Sequence, residues 1–460
     1  MGKALAVIVV IAAVVAAAVL LTRTDRAPDA GGADATGGAP TAAAGTLTIA
    51  WAQWAPSEVL EKMAKEWGKT NNVTVKLTQI PWSDYADKIF TDVFTGKSAT
   101  YDIVVGDSQW LGKGADEGHY ADVTDFVTAL PNLKEYGKSA LAYFCEYPTG
   151  SGKYFAAPCE TDALGFSYRK DLFEDAKEQA AFKAKFNRDL AVPTTWQELR
   201  DVAGFFQRPD QNLYGVALFT NSGGYDAVTM GFQSVMWAWG GAYCDPATYK
   251  VDGVLNSAKG VQALEFYTEL CQNCTPPGST NYYHSECLKA FQTGQVAMAV
   301  NYFALMPLLV DEKMNKFAKS TGYFACPKGP EGRFASLGGQ GLSIIKYAKP
   351  EQQELAKKFI AWFLQTDQQK RWALNPGCFS ANTEALKGDA FLKAAPFNQA
   401  FADSLPLLRD FYNLPEHAQL LESTQKNWNG AIVGTISPQA AMDAIAKDHE
   451  TILRKAGRLK

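Results

Sequence analysis

Gln53 and Trp54 stand just past a short apolar run of β type, TLTIAW, and Asp107, Ser108, Gln109 and Trp110 stand just past another, Asp102-Ile-Val-Val105. In open α/β sheets the loops beyond the carboxyl ends of strands face a ligand crevice. An aromatic ring beside an amide or a carboxylate suits a polyhydroxylated ligand, because the ring covers a C–H face while the polar group meets the hydroxyls. Trp54 is the better candidate of its pair, since Trp51 can finish the strand inside the core. Asp107 has a competing structural role as cap of the turn that comes after it. The same indole rings and acids would also attract an organic cation through its charge, so that ligand class stays open.

Further candidates come later in the chain. Trp237 and Trp239 would share a face on a strand but diverge by about 200° on a helix. Their segment, Gly231-Phe-Gln-Ser-Val-Met-Trp-Ala-Trp239, reads as helical, which assigns one ring to the core. Gly338-Gly-Gln-Gly341 has the composition of a loop that lets backbone approach a ligand, and it makes Gly339 and Gln340 candidates; phosphate binding does not follow from it.

Nothing in the sequence forms a catalytic motif. The four histidines, His119, His284, His417 and His449, form no H-E-x-x-H, and neither G-x-S-x-G nor a Walker loop is present. The paired acids of a glycosidase leave no sequence trace, so that rival is tested only by turnover. The chain is read as a non-enzymatic binding protein without a cofactor. Cys271-Gln-Asn-Cys274, followed by His284 and Cys287, offers zinc-type donors, but a single CxxC among loop residues falls short of a zinc framework and no metal site is assigned.

The chain has 460 residues, 47% hydrophobic and 12% aromatic, more than one core usually absorbs, which implies two domains. A formal charge of −4 leaves no basic field for a nucleic-acid backbone. The eight cysteines all lie between Cys145 and Cys378 and fit an oxidising compartment, with disulfides whose pairing is not readable.

Export is signalled at the start. Residues 4–22 run for 19 positions without a charge, between Lys3 and Arg23. That exceeds a typical signal-peptide core of about 7–15 and approaches the ~20 that span a bilayer, so a retained anchor is favoured over cleavage. The flanking charges do not settle orientation. Residues 23–45, poor in large side chains, read as a flexible tether, and no cysteine follows the apolar run to accept a lipid.

From Thr46 onward strands and helices alternate. TLTIAW leads into the helical stretch EVLEKMAKEWGKT; Val73 to Leu77 is a second strand, Tyr85 to Phe94 a second helix, and Asp102 to Val105 a third strand. Repeated β-α-β units demand parallel strands with helical crossovers, hence a doubly wound α/β lobe. A second series takes in Leu164 to Tyr168, a helix opened by Pro193-Thr-Thr-Trp-Gln-Glu198, strands at Tyr214 to Phe219 and Val296 to Val300, and helices at Ser257 to Leu270 and Ser285 to Gly294. The last third is mainly helical, with Pro350 to Gln365 and Pro438 to Arg454 apolar at helical spacing.

In their order, TLTIAWAQWAPSEVLEKMAKEW, YDIVVGDSQWLGKGADEGHYADVTDF, PCETDALGFSYRKDLFED, ECLKAFQTGQVAMAVNYFALMPL and GLSIIKYAKPEQQELAKKFIAWFLQTDQQKRW resemble the extracellular solute-binding proteins of the sugar-binding type, the group of maltose-binding protein. The likeness runs over nearly all of residues 46–460. It implies two α/β lobes of the type II periplasmic-binding-protein class with a ligand cleft between them. By analogy lobe one takes residues 46–160 and 338–386, and lobe two 161–337 and 387–460. It further implies a ligand-contacting acid at the crossover, with Glu160 preferred and Thr161 and Asp162 beside it, an aromatic platform at Tyr302, and a comparable place for Trp428 among the closing helices. The implied partners are a small carbohydrate and the permease of an ABC importer, with a membrane sensor as the alternative recipient. The expected location is the periplasmic or extracellular face of the membrane, and the expected state a monomer.

Overall fold

The computed structural model describes residues 45–459 apart from 224. The anchor at residues 4–22 and nearly all of the tether lie outside them. Among the described residues no helix is long and apolar enough to cross a membrane.

β1 (Gly45–Ala52), α1 (Ala55–Asn71) and β2 (Val73–Ile80) form the opening unit, with β1 and β2 parallel. The chain continues through α2 (Trp82–Lys88), whose helical course widens into π-type turns as far as Thr95, to β3 (Ile103–Asp107) on the other edge of β1. Two polar clamps hold these strands. Asp102 Oδ2 accepts from the Thr48 amide at 2.7 Å and from its hydroxyl at 2.8 Å. The buried Tyr85 hydroxyl lies 2.8 Å from the Ala50 carbonyl and 3.0 Å from that of Val105, so α2 ties together the ends of β1 and β3. A buried carbonyl without a donor is costly, and the hydroxyl serves both carbonyls where β1 and β3 cease to pair with each other.

α3 (Ser108–Asp116) follows β3 directly. β4 (Ala157–Arg169) is the long connector: its first half runs antiparallel to β8 (Ala335–Ile344), and its second half antiparallel to β6 (Val296–Tyr302) and β7 (Thr321–Ala325). β5 (Tyr214–Ala217) lies parallel to β6, and the two-residue β9 (Leu408–Arg409) pairs with β8. The path β2-β1-β3-β8-β4-β6-β5 therefore joins two parallel sections through antiparallel crossing strands. Sequence periodicity leads one to expect parallel strands throughout. β8 departs because it returns from the second lobe and has to enter the first sheet against the direction of β3.

The helices follow the sequence signals closely. α4 (Trp196–Phe205) opens with the Thr195–Glu198 capping box, each side chain bonding the other's backbone amide. α5 (Ala227–Ala238), α6 (Ala258–Cys274) capped by Ser257, α7 (His284–Gln292), α8 (Pro350–Phe363), α9 (His417–Ile432) and α10 (Pro438–Lys455) complete the set used below.

Two separate apolar cores result. One gathers residues from 47–159 and 337–381, the other from 163–335 and 373–453. Trp54, Trp82, Tyr225 and Leu408 pack against both. All eight cysteines are free thiols, and all but Cys244 are buried. The expected disulfides are absent, and the thiols serve as small apolar fillers. Among the described residues no cluster of three or more His, Cys, Asp or Glu side chains could hold a metal ion.

Candidate functional site

A cavity of about 240 Å³ opens where the two lobes meet. Its first wall comes from the ends of strands on the first core: Gln53 and Trp54 after β1, Trp82 after β2, Asp107 and Gln109 at the end of β3. Its floor is the crossing pair, Asp162 of β4 and Leu337 to Gln340 of β8. The opposite wall carries Asp226 before α5, Tyr283 to Ser285 at the start of α7, and Tyr302 at the end of β6.

The aromatic wall is a column of indoles. Trp82 stacks between Trp54, at 6.4 Å, and Trp110, at 6.1 Å, with interplanar angles of 19° on both sides. Trp110 is fully buried behind Trp82 and donates its Nε1–H to the Tyr225 hydroxyl at 2.8 Å. The Nε1 donors of Trp54 and Trp82 are buried without an acceptor in hydrogen-bonding geometry. A buried indole N–H ordinarily finds an acceptor; that of Trp82 is directed to the Tyr283 hydroxyl, and that of Trp54 is available to a ligand oxygen.

Three carboxylates converge on the same space. Asp107 caps α3, its Oδ1 accepting from the Gln109 amide and the Ser108 hydroxyl, both at 3.0 Å, so its capping role and its place in the wall coexist. Asp162 accepts from the Ala163 amide at 2.7 Å and from the Ala304 amide at 3.1 Å. Asp226 accepts from the Tyr283 hydroxyl and from Gln109 Nε2, the latter at 2.9 Å. Among the described lining residues none is Lys or Arg. Burial without a cation pushes Asp107 and Asp162 up to about 8 and Asp226 up to about 6. Burial moves His284 the other way, down to about 4, so its ring is neutral with Nδ1 against Asn301 Oδ1 at 2.9 Å.

The glycines of β8 are a strand rather than the expected loop. A Cβ on Gly338 would come within 2.7 Å of the Tyr302 ring, and one on Gly339, whose φ is +117°, within 2.4 Å of the Glu160 carbonyl oxygen. Their absence of side chains lets β8 lie flat on Tyr302 and on β4. Gln340 spans the lining, accepting from Trp51 Nε1 at 3.3 Å and reaching Asp107 Oδ2 at 3.5 Å.

The structure thus brings Gln53, Trp54, Asp107, Gln109, Asp162, Tyr302, Gly339 and Gln340 to one cavity. It leaves five of the residues proposed from sequence outside it. Trp110 backs the lining without facing it. Glu160 is fully buried, its pKa held well above the usual range by burial and by the neighbouring Asp162, and the cavity takes Asp162 instead. Trp237 packs on Tyr243 and Trp239 on Phe266, so both rings belong to the second core. Trp428 is fully buried against Phe232, its Nε1 3.2 Å from Met442 Sδ. Sequence reasoning missed Trp82, Asp226, Tyr283, His284 and Ser285. Trp82 alone had a clear signal, since it follows β2 as Trp54 follows β1.

Residues 51–370 match the family described as bacterial extracellular solute-binding protein. A probable ABC transporter-binding protein of Deinococcus radiodurans is 27% identical over 341 residues, 73% of this chain and 76% of that protein. A mannitol-binding protein of Pseudomonas aeruginosa is 24% identical over 326 residues, 66% and 71% of the two chains. Among solved structures, maltose-bound MalE3 of T. maritima superposes with a TM-score of 0.76 at 24% identity, covering 89% of this chain and all of its own.

Proposed function

The chain belongs to the bacterial extracellular solute-binding protein family, and from that premise we propose that its cavity captures a carbohydrate of monosaccharide size, a sugar or a sugar alcohol, for delivery to an ABC importer. The carrying observation is the pairing of the Trp54–Trp82 face with Asp107, Asp162 and Asp226 in one enclosed space between the lobes. Indole faces cover C–H surface, and the acids and the free Trp54 indole N–H divide the hydroxyls between them.

Size narrows the class. The 240 Å³ cavity lies below the ~300 Å³ at which drug-sized pockets begin. One sugar unit or an open-chain polyol fits that space, in keeping with the mannitol named for the Pseudomonas relative. Charge narrows it too. An amino acid would bring a carboxylate into a wall that offers no cationic side chain to pair it, which disfavours that ligand.

Capture proceeds by closure of the lobes, with residues 46–160 and 338–386 moving against 161–337 and 387–460, and the bound ligand stabilising the closed form by contacts to both. No bond of the ligand is broken. The apolar segment 4–22 holds the protein at the outer face of the membrane through the 23–45 tether, and the protein acts as a monomer.

A thermal-unfolding screen of the full-length protein tests this reading. Hexoses, pentoses, their alditols, maltose, amino acids and spermidine are each added at millimolar concentration. A ligand that binds only the folded state raises the midpoint by mass action. A rise with a monosaccharide or alditol supports the proposal; a rise confined to amino acids or spermidine overturns it.

A further inference from the structure

We propose that the closed form of this protein holds one proton on a relay of Asp226, Gln109 and His417 that bridges the two lobes, so that closure is coupled to proton uptake. The inference goes beyond capture itself and rests on the closure motion proposed above. Gln109 stands at the start of α3, beside Trp110 and Leu111 of the first core, whereas Asp226 and His417 stand at the starts of α5 and α9 on the second.

The case is one of donors and acceptors. His417 Nδ1 lies 2.8 Å from the Tyr412 carbonyl oxygen, which can only accept, so Nδ1 carries a hydrogen. In a neutral imidazole Nε2 is then an acceptor. Nε2 lies 2.9 Å from Gln109 Oε1, and the other end of the same amide lies 2.9 Å from Asp226 Oδ2. An ionised carboxylate also only accepts. A primary amide has one accepting end and one donating end, so whichever way Gln109 is turned, one end faces a second acceptor. One added proton removes the conflict, on His417 Nε2 with the amide as it stands, or on Asp226 Oδ2 with the amide turned over. Gln109 is 5% exposed, Asp226 4% and His417 2%, so all three groups are buried, the first two at the edge of the cavity.

The surroundings offer no substitute for that proton. Asp226 is faced by the acids Asp107 and Asp410 and by the hydroxyls of Tyr225, Tyr283 and Tyr302. His417 is faced by the rings of Phe411 and Tyr225 and by His449. Beside it, Glu416 is already paired with Arg458, which also reaches Asp116. Burial lowers His417 to about 4, and it raises Asp226 to about 6 even while the Gln109 amide donates to the carboxylate and pulls the value down; with the amide turned over that pull is lost, so the carboxyl takes the proton and keeps it above that value. Asp226–OH then donates to Gln109 Oε1, and Gln109 Nε2–H to His417 Nε2. Losing the proton would leave a hydrogen bond unmade between buried groups, which holds the proton more tightly still.

With the lobes apart, Asp226 and the Nε2 edge of His417 meet water and titrate near their ordinary values of about 3.9 and 6.5. Above about pH 6.5 the open form holds no proton here and the closed form holds one. The relay's stabilisation of the closed form is therefore kept at about pH 6.5 and lost as pH rises toward the value at which the relay gives up its proton.

The test is small-angle scattering of the full chain without added ligand, from about pH 6 to 9, for the wild type and Asp226→Asn. The asparagine amide supplies the missing donor permanently and keeps its Oδ1 for the Tyr283 hydroxyl. Asp107 and Asp162 add a pH dependence common to both proteins, and above about pH 6.5 the ratio of compact to extended forms falls about tenfold more per pH unit in the wild type than in Asp226→Asn. An equal pH dependence in both proteins overturns the relay. Should Asp226→Asn not fold, the ¹⁵N-histidine spectrum of the wild type decides. The expected result is a His417 Nε2 shift with the same pH midpoint as the loss of compactness, and midpoints more than a pH unit apart overturn it. No sugar enters these measurements. A failed sugar screen therefore leaves the relay standing, and an equal pH dependence of wild type and variant in a sugar-binding protein removes the relay alone.

Discussion

Replacing Trp54 with alanine removes the outer ring of the indole column, and its effect can be worked from the structure. Burying a whole tryptophan covers about 150–250 Å², of which one face, about 60–80 Å², is open to a ligand, worth ~1.5–2 kcal/mol at ~25 cal/mol per Å². The Trp54 Nε1–H, which has no acceptor among the described residues, adds about 1 kcal/mol through one hydrogen bond to the ligand. The sum, ~2.5–3 kcal/mol, corresponds to about a hundredfold weaker binding. Titration calorimetry with the sugar that responds in the thermal screen measures the ratio. Trp428→Phe is the control: its ring lies in the second core against Phe232, so the dissociation constant stays within about twofold while stability falls. A Trp54→Ala constant within about twofold of the wild type would refute the assignment of this face to the ligand.

Further consequences come from the same geometry. Glu160→Gln replaces a buried carboxyl that burial keeps protonated, so sugar affinity stays within about twofold; a tenfold loss by calorimetry would return Glu160 to the binding wall. Gly339→Ala forces a side chain onto a backbone with φ +117° and against the Glu160 carbonyl oxygen at 2.4 Å, and should destabilise by at least ~1–3 kcal/mol in urea unfolding. Asp107 and Asp162 keep their protons to about pH 8 in the folded chain, whereas unfolded aspartates release theirs near about 3.9. Their contribution to stability is full below that lower value and is lost as pH rises through about 8, at up to ~1.4 kcal/mol per pH unit for each group. Unfolding free energy measured from about pH 5 to 8 should therefore fall, and fall less steeply in Asp162→Asn.

Most of the fold was legible because its signals are local. The apolar run of β1, the Thr195–Glu198 box before α4 and the 3.6-residue spacing of α8 and α10 each act over a few residues and survive into the structure. The cavity was legible where strand ends supply it, at Trp54, Asp107 and Gln109, because the residues just beyond a strand's carboxyl end face the crevice in such sheets. The far wall was not. Asp226, Tyr283 and His284 come from helix starts whose approach to β3 depends on how the two lobes meet, a long-range relation with no local mark. Trp237, Trp239 and Trp428 went astray because a tryptophan in a core and one in a wall look alike in sequence. Choosing between Glu160 and Asp162 required the register shift of β4 against β8 between Pro158 and Glu160.

The most direct measurement is titration calorimetry of the full-length protein against a series of pentoses, hexoses and their alditols, with maltose alongside. One binding site per chain is expected, saturated by a single-unit sugar or alditol, with weaker binding of maltose, which the 240 Å³ cavity does not enclose. Heat from maltose with at least tenfold tighter binding than any single-unit ligand would contradict the size argument. No saturable heat from any sugar or alditol would contradict the assignment of the cavity to carbohydrate.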